Sequence, residues 1–193
     1  LINKSSSVQP KIFKWTLENL KKIERIIEKY PKNRKQSAVM PLLDLAQRQN
    51  KGWLSQKAIE NVSKTLEMPL IRVMEIATFY SMFNLEPVGR YFIQLCRTTP
   101  CWLKGCDNLL NIAKKITGCE LGSTSNDNLF TLVEVECLGA CCNAPAVQIN
   151  DNYYEDLNEE TFTKMLINLK QRKQIKSGSQ IGRISSEPMK FDN

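Results

Sequence analysis

The chain has 193 residues, 42% hydrophobic and 24% charged, a composition that excludes a disordered or collagen-like protein. It contains no histidine and seven cysteines, which removes Ser-His and Cys-His catalytic pairs, His-ligated haem, Rieske centres and His-containing zinc sites. An odd, unevenly spaced set of cysteines argues for metal ligation in a reducing compartment over a secreted disulfide framework, and without a run of about eighteen apolar residues no direct membrane insertion is expected.

The net charge of +7 is unevenly spread: residues 1–90 carry +8, residues 91–169 carry −5 and residues 170–193 carry +4. No RNP-like aromatic motif, zinc finger or helix-turn-helix pattern accompanies the basic segment, so nucleic acid is not an expected partner, and an acidic protein surface is. Residues 1–15 combine Lys4, Lys11 and Lys14 with three serines and no acid before Glu18, which predicts a flexible basic N-terminus resembling the end of an organellar presequence.

From Thr16 the pattern is helical. Leu17, Leu20, Ile23, Ile27 and Tyr30 recur behind a Thr16 cap and stop at Pro31. A second helix is expected near Ser37, with Val39, Leu42, Leu43 and Ala46 inward and Pro41 in its first turn. Ser55 caps a third carrying Ile59, Val62 and Leu66, and Pro69 opens a fourth through Val73, Ile76, Ala77 and Tyr80. Residues 16–87 thus read as a helical bundle. Trp15, Trp53, Phe79 and Phe83 exceed what so small a core must bury, which predicts a docking surface.

The character changes at Pro87-Val88-Gly89. Tyr91–Leu95 reads as a strand ending at Cys96, Trp102–Ile116 as one helix, and Phe130–Val135 as a strand ending at Cys137. Ala146–Ile149 and Tyr153-Tyr154 flank a turn at Asn150-Asp151-Asn152, and a last helix carries Phe162, Met165, Leu166 and Leu169. The fold class expected is α+β: the helical bundle, then a thioredoxin-like α/β domain over residues 88–175, then an extended tail over 176–193.

Cys96 and Cys101 follow one predicted strand, and Cys137 and Cys141 another; neighbouring strands would bring both loops to one sheet edge. Zinc knuckles favour Cys-x2-Cys, which is absent, whereas wider loops suit a 2Fe-2S cluster with two thiolates to each iron. Cys142, adjacent to Cys141, and Cys106, five residues past Cys101, are rival ligands, while Cys119 reads as a small buried hydrophobe. A helix opening at Trp102 would aim its N-terminal dipole at the site. Thr98 and Thr99 could donate to cluster sulfurs, Gly139 suits a positive φ, Arg97 places a positive charge beside the site, and Glu134 and Glu136 read as surface or subunit-contact carboxylates.

Cys96-Arg-Thr-Thr-Pro-Cys101-Trp-Leu-Lys-Gly, Phe130-Thr-Leu-Val-Glu-Val-Glu-Cys137-Leu-Gly-Ala-Cys141 and Ala144-Pro-Ala-Val-Gln-Ile-Asn-Asp-Asn-Tyr-Tyr closely resemble the thioredoxin-like 2Fe-2S subunit of respiratory complex I. Met40-Pro-Leu-Leu-Asp-Leu-Ala-Gln-Arg-Gln, Gly52-Trp and Ala77-Thr-Phe-Tyr-Ser-Met-Phe extend the resemblance to most of residues 15–170. It implies one 2Fe-2S cluster on Cys96, Cys101, Cys137 and Cys141, and an electron-transfer subunit of the NADH-oxidising module of an NADH:quinone oxidoreductase. The sequence has no Gly-x-Gly-x-x-Gly or P-loop, so FMN and NADH are expected only on a flavoprotein partner, beside a neighbouring iron-sulfur subunit, and no turnover from this chain alone. The implied location is the matrix side of the mitochondrial inner membrane, or the cytoplasmic side of a bacterial plasma membrane. The equivalent subunit of a NAD-linked hydrogenase or formate dehydrogenase, and a structural zinc scaffold, are the alternatives.

Overall fold

A computed structural model describes residues 9–188; residues 1–8 of the expected N-terminus and 189–193 of the expected tail lie outside the described residues. The chain divides between Pro87 and Val88 into two units, each with its own core.

The first unit is helical. Its helices are α1 (Leu17–Ile27), α2 (Val39–Gln49), α3 (Gln56–Leu66) and α4 (Leu70–Phe79). Thr16 caps α1 by accepting from the Asn19 amide at 3.2 Å, and Ser55 caps α3 by accepting from Ala58 at the same distance. Leu42, Leu43, Ala46, Ile59, Val62, Leu66 and Val73 are buried in one cluster, as the helical spacing predicts. The second helix begins at Val39, because Lys32–Ala38 winds as a 3-10 segment kinked at Arg34 (φ −128°). Pro41 is then its third residue, where the missing N–H leaves no intrahelical bond unmade.

Several inward expectations fail. Leu17 is 81% exposed and Leu20 is also exposed, so α1 meets the core mainly through Ile23, one turn deeper. Tyr80 lies past the end of α4 and is exposed. Trp53 and Phe83, expected on a docking surface, are buried in the core. Trp15 is half-buried, with its indole N–H donating to Thr65 Oγ1 at 3.1 Å and its ring edge-on to Phe13. Only Phe79 of the four stands clear, 79% exposed, with Ile71, Tyr80 and Met82 also exposed.

The second unit holds β1 (Tyr91–Cys96), α5 (Thr99–Leu103), α6 (Cys106–Thr117), β2 (Ser123–Thr124), β3 (Phe130–Val135), β4 (Val147–Ile149), β5 (Asn152–Glu155), α7 (Glu159–Lys170) and β6 (Gly178–Ser179). The strands form one mixed sheet in the order β2-β3-β1-β4-β5-β6. β1 and β3 are parallel, in register from Tyr91 opposite Phe130 to Cys96 opposite Val135. Ile93, Leu95, Phe130, Leu132, Val147 and Ile149 share a core with Leu109 and Ala113 of α6 and Phe162 and Leu166 of α7. α7 starts in a capping box, with the Thr161 amide donating to Asn158 Oδ1 and the Asn158 amide to Thr161 Oγ1.

Two glycines shape this unit. A Cβ on Gly89 would sit 2.7 Å from the Phe130 carbonyl carbon, so only glycine lets the chain enter β1 against β3. Gly105 has φ +83° and breaks the single helix expected over Trp102–Ile116 into α5 and α6. Trp102 is therefore an interior residue of a one-turn helix, and no helix opens there to aim a dipole at the cysteines. At the chain's end, β6 pairs in parallel with β5 and the segment beyond it turns back onto the sheet edge, where a plain extended tail is expected.

Candidate metal centre

Because β1 and β3 are adjacent and parallel, their C-terminal ends open at one edge of the sheet, and each opens into a cysteine loop. Cys96 ends β1 and Cys101 lies inside α5; each is 2% exposed. They pack with Cys106 and Ala146, with Leu138, Ala140 and Ala144 against them. Cys137 and Cys141, in the loop after β3, are exposed, with their sulfurs 3.3 Å apart. Gly139, at φ +80°, turns its N–H back to Cys137 Sγ at 3.4 Å. The Thr98 hydroxyl is 3.3 Å from Cys96 Sγ, and it also helps to lower the Cys137 thiol, so it acts on both pairs.

The pairs share an electrostatic pattern. Burial works to raise the Cys96 thiol, but hydrogen bonds from the Thr98 hydroxyl, the Leu138 and Thr98 backbone and the Cys101 thiol outweigh it and bring it below the ordinary value. Cys101 is pushed up to about 12, mainly by burial. Cys137 is lowered by the Gly139 amide, the Cys141 thiol and Thr98, while Cys141 is raised by sharing its proton with Cys137. One thiol of each pair is thus poised to ionise first, which is the form that ligates metal.

Among the described residues, no three Cys, Asp or Glu side chains are grouped to hold a single metal ion. Two thiol pairs at the ends of neighbouring strands suit a wider object with two metal atoms, and an all-thiolate donor set suits iron and sulfide. The site fits a 2Fe-2S cluster on these grounds. Residues 23–170 match the family of thioredoxin-like [2Fe-2S] ferredoxins.

The chain belongs to that family.

The cofactor of such a ferredoxin is one 2Fe-2S cluster. Over 154 residues this ferredoxin is 58% identical to a subunit of the NADH-quinone oxidoreductase of Rickettsia typhi, covering 80% of this chain and 91% of that one. Over 175 residues it is 47% identical to the mitochondrial NADH dehydrogenase [ubiquinone] flavoprotein 2 of Dictyostelium discoideum, covering 91% and 71%. A solved NAD+-reducing [NiFe]-hydrogenase in its air-oxidised state shares the fold at TM-score 0.60 and 22% identity; the match covers 67% of this chain and 23% of the hydrogenase chain.

Around the ferredoxin's cysteines the ion pairs differ from expectation. Arg97 is not a bare charge: its Nη1 donates to Glu134 Oε2 and its Nη2 to Asp107 Oδ1, both at 2.8 Å. Glu134 thus pairs with the first cysteine loop while its side chain stays 48% exposed, so both Glu134 and Glu136 lie on the surface as expected. Cys106 is buried at the start of α6, and burial raises its thiol. Cys119 is buried with its Sγ 3.6 Å from the Phe130 carbonyl oxygen. Cys142 is exposed, and its backbone carbonyl accepts from Arg183 at 2.7 Å. Neither Arg183 nor its partner Asp156 stands out in the sequence, since they are 27 residues apart and neither lies near a cysteine motif.

Proposed function

We propose that this ferredoxin is the electron-transfer subunit of the NADH-oxidising module of an NADH:quinone oxidoreductase, with Cys96, Cys101, Cys137 and Cys141 holding its cluster. The observation that carries the ligand set is the gathering of two thiol pairs at one edge of adjacent parallel strands. The 58% and 47% identities to complex I subunits support the assembly.

When bound, the cluster supplies a one-electron site. The chain's own part is to hold it. Cys96 and Cys101 lie in an apolar wall of Ala146, Leu138 and Ala144 that keeps water from one side. Thr98 and the Gly139 amide, already hydrogen-bonded to thiols, stabilise sulfur that carries negative charge and so favour the reduced state. FMN and NADH bind a flavoprotein partner, and a neighbouring iron-sulfur subunit completes the electron path. The first unit docks, through exposed Ile71, Phe79, Tyr80 and Met82 set in a segment of net charge +8. The protein sits in the peripheral arm, on the matrix side of the mitochondrial inner membrane; among the described residues no helix is long and apolar enough to cross a membrane.

Iron and acid-labile sulfide content tests the ligands: Cys96→Ser, Cys101→Ser, Cys137→Ser and Cys141→Ser each lose the cluster, while Cys106→Ser and Cys142→Ser keep it. Full iron in Cys141→Ser with loss in Cys142→Ser overturns the set. For the docking face, Ile71→Ser/Phe79→Ser retains the cluster and fails to co-purify with the flavoprotein partner; binding at native affinity would move the interface elsewhere.

A further inference from the structure

The cysteines of the second loop are exposed; Leu138 and Ala140 between them pack against Cys96 and Cys101, and the backbone just beyond Cys141 is fixed from another side. The end of the chain supplies that side. β6 adds to β5, with Tyr154 opposite Gly178 and Glu155 opposite Ser179, and the Gln180 amide donates to Glu155 O at 2.9 Å. That pairing carries Arg183 to the loop. Its side chain is 8% exposed and that of Asp156 4%, a buried pair in an otherwise exposed region. Arg183 Nε donates to Asp156 Oδ2 at 3.1 Å, Nη2 donates to Oδ1, and Ser179 Oγ donates to Oδ2 at 2.7 Å. The same Nη2 donates to the carbonyl of Cys142, the residue after Cys141, at 2.7 Å.

The next residue is held as firmly. Asn143 is buried; its Nδ2 donates to Glu155 Oε2 at 2.9 Å and to the Ser185 carbonyl at 2.7 Å, while its own carbonyl accepts from the Asp156 amide at 2.7 Å. A planar guanidinium can grip both oxygens of a carboxylate and still reach a third acceptor, which a lysine ammonium cannot match in geometry. A buried ion pair adds little net stability but fixes one arrangement over its alternatives.

We propose that the segment Gly178–Glu187, acting through Arg183, is a strap that positions the Cys137–Cys141 loop and so governs retention of the cluster. Arg183 is a positioning residue: it touches the backbone next to Cys141 and no sulfur. This rests on the reading that Cys137 and Cys141 are ligands.

The test uses the full-length, cluster-loaded protein with Arg183→Met and Arg183→Lys. Arg183→Met is expected to release iron to a chelator at least tenfold faster than the native protein and to shift the EPR spectrum of the reduced cluster. Its amide exchange should rise at least tenfold over residues 138–144 and stay unchanged over 97–103. Arg183→Lys, which keeps the charge, should fall between and decides the matter if Arg183→Met does not fold. Iron release within twofold of native, with unchanged exchange and spectrum in the folded variants, overturns the strap. Cys141→Ser separates the two readings. Loss of iron there sustains the ligand set whatever Arg183 does; full iron there removes the ligand set and the retention claim together, even where loop exchange still rises in Arg183→Met.

Discussion

The two cysteine loops leave neighbouring parallel strands at the same level, yet they are built on opposite plans. The first is folded into the protein: Cys96 and Cys101 are each 2% exposed, and the loop is closed by the Arg97–Asp107–Glu134 ion pairs. The second lies on the surface, with both sulfurs exposed and its backbone tied by groups from β5 and from the chain's end. A site assembled this way has one half with buried cysteines and another with exposed ones, the second packed on the first through Leu138 and Ala140 and tied beyond Cys141 by hydrogen bonds. The first half is costly to alter, and the second is easy to reach.

The difference between the loops should be largest in the cluster-free protein. Cys101→Ala removes a buried sulfur and should cost about 1–2 kcal/mol of unfolding free energy, whereas Cys137→Ala should stay within about 0.5 kcal/mol; denaturant titration reads both. Equal costs would mean that the first loop is as loosely held as the second.

The thiols of the two loops should also differ in reactivity. With Cys137 lowered by the Gly139 amide and Cys101 pushed up to about 12 by burial, alkylation of the cluster-free protein at pH 8 should modify Cys137 at least about a hundredfold faster than Cys101. The raised Cys101 also gives stability a pH dependence. Below pH 9 neither native nor unfolded thiol ionises; between 9 and about 12 the unfolded thiol loses its proton while the native one keeps it, so the stability of the cluster-free protein falls across that window. A Cys101→Ala variant should lack this component of the decline.

Within the exposed loop, Gly139→Ala forces a side chain to φ +80°, at about 1 kcal/mol, with no neighbouring atom to clash. Its expected signature is a higher amide exchange rate at positions 139 and 140 and faster iron loss, the overall fold being kept. Arg97 gives the smallest effect. Arg97→Met leaves Asp107 and Glu134 uncompensated and should lower the cluster potential by about a few tens of millivolts, as expected for one charge lost from a partly solvated site. Glu134→Gln should shift it the other way, and a redox titration showing no shift in either variant would mean that solvent screens the ion-pair network.

The expectations that hold are those set by local chemistry. Thr16 and Ser55 cap helices because a hydroxyl just before an apolar repeat satisfies free amides wherever the helix packs. The strands ending at Cys96 and near Cys137 follow from β-branched and aromatic alternation bounded by loops. The helix break at Gly105 escapes, since Trp102 to Ile116 keeps its apolar spacing and only the backbone angle of one glycine reveals the turn. Leu17 exposed and Trp53 buried show the limit of periodicity, which ranks faces of a helix but not how much of each the neighbours cover. Arg97 with Glu134, and Arg183 with Asp156, are joined only by tertiary pairing; nothing in either local segment announces the other.

The sheet's two margins have a consequence of their own. β2 and β6 are two residues each, so the ladder stops almost as soon as it reaches either side. A newly made chain without its iron and without its partner therefore offers little open backbone for a second copy to zip onto, and the commonest route by which an unassembled sheet protein clumps is largely shut.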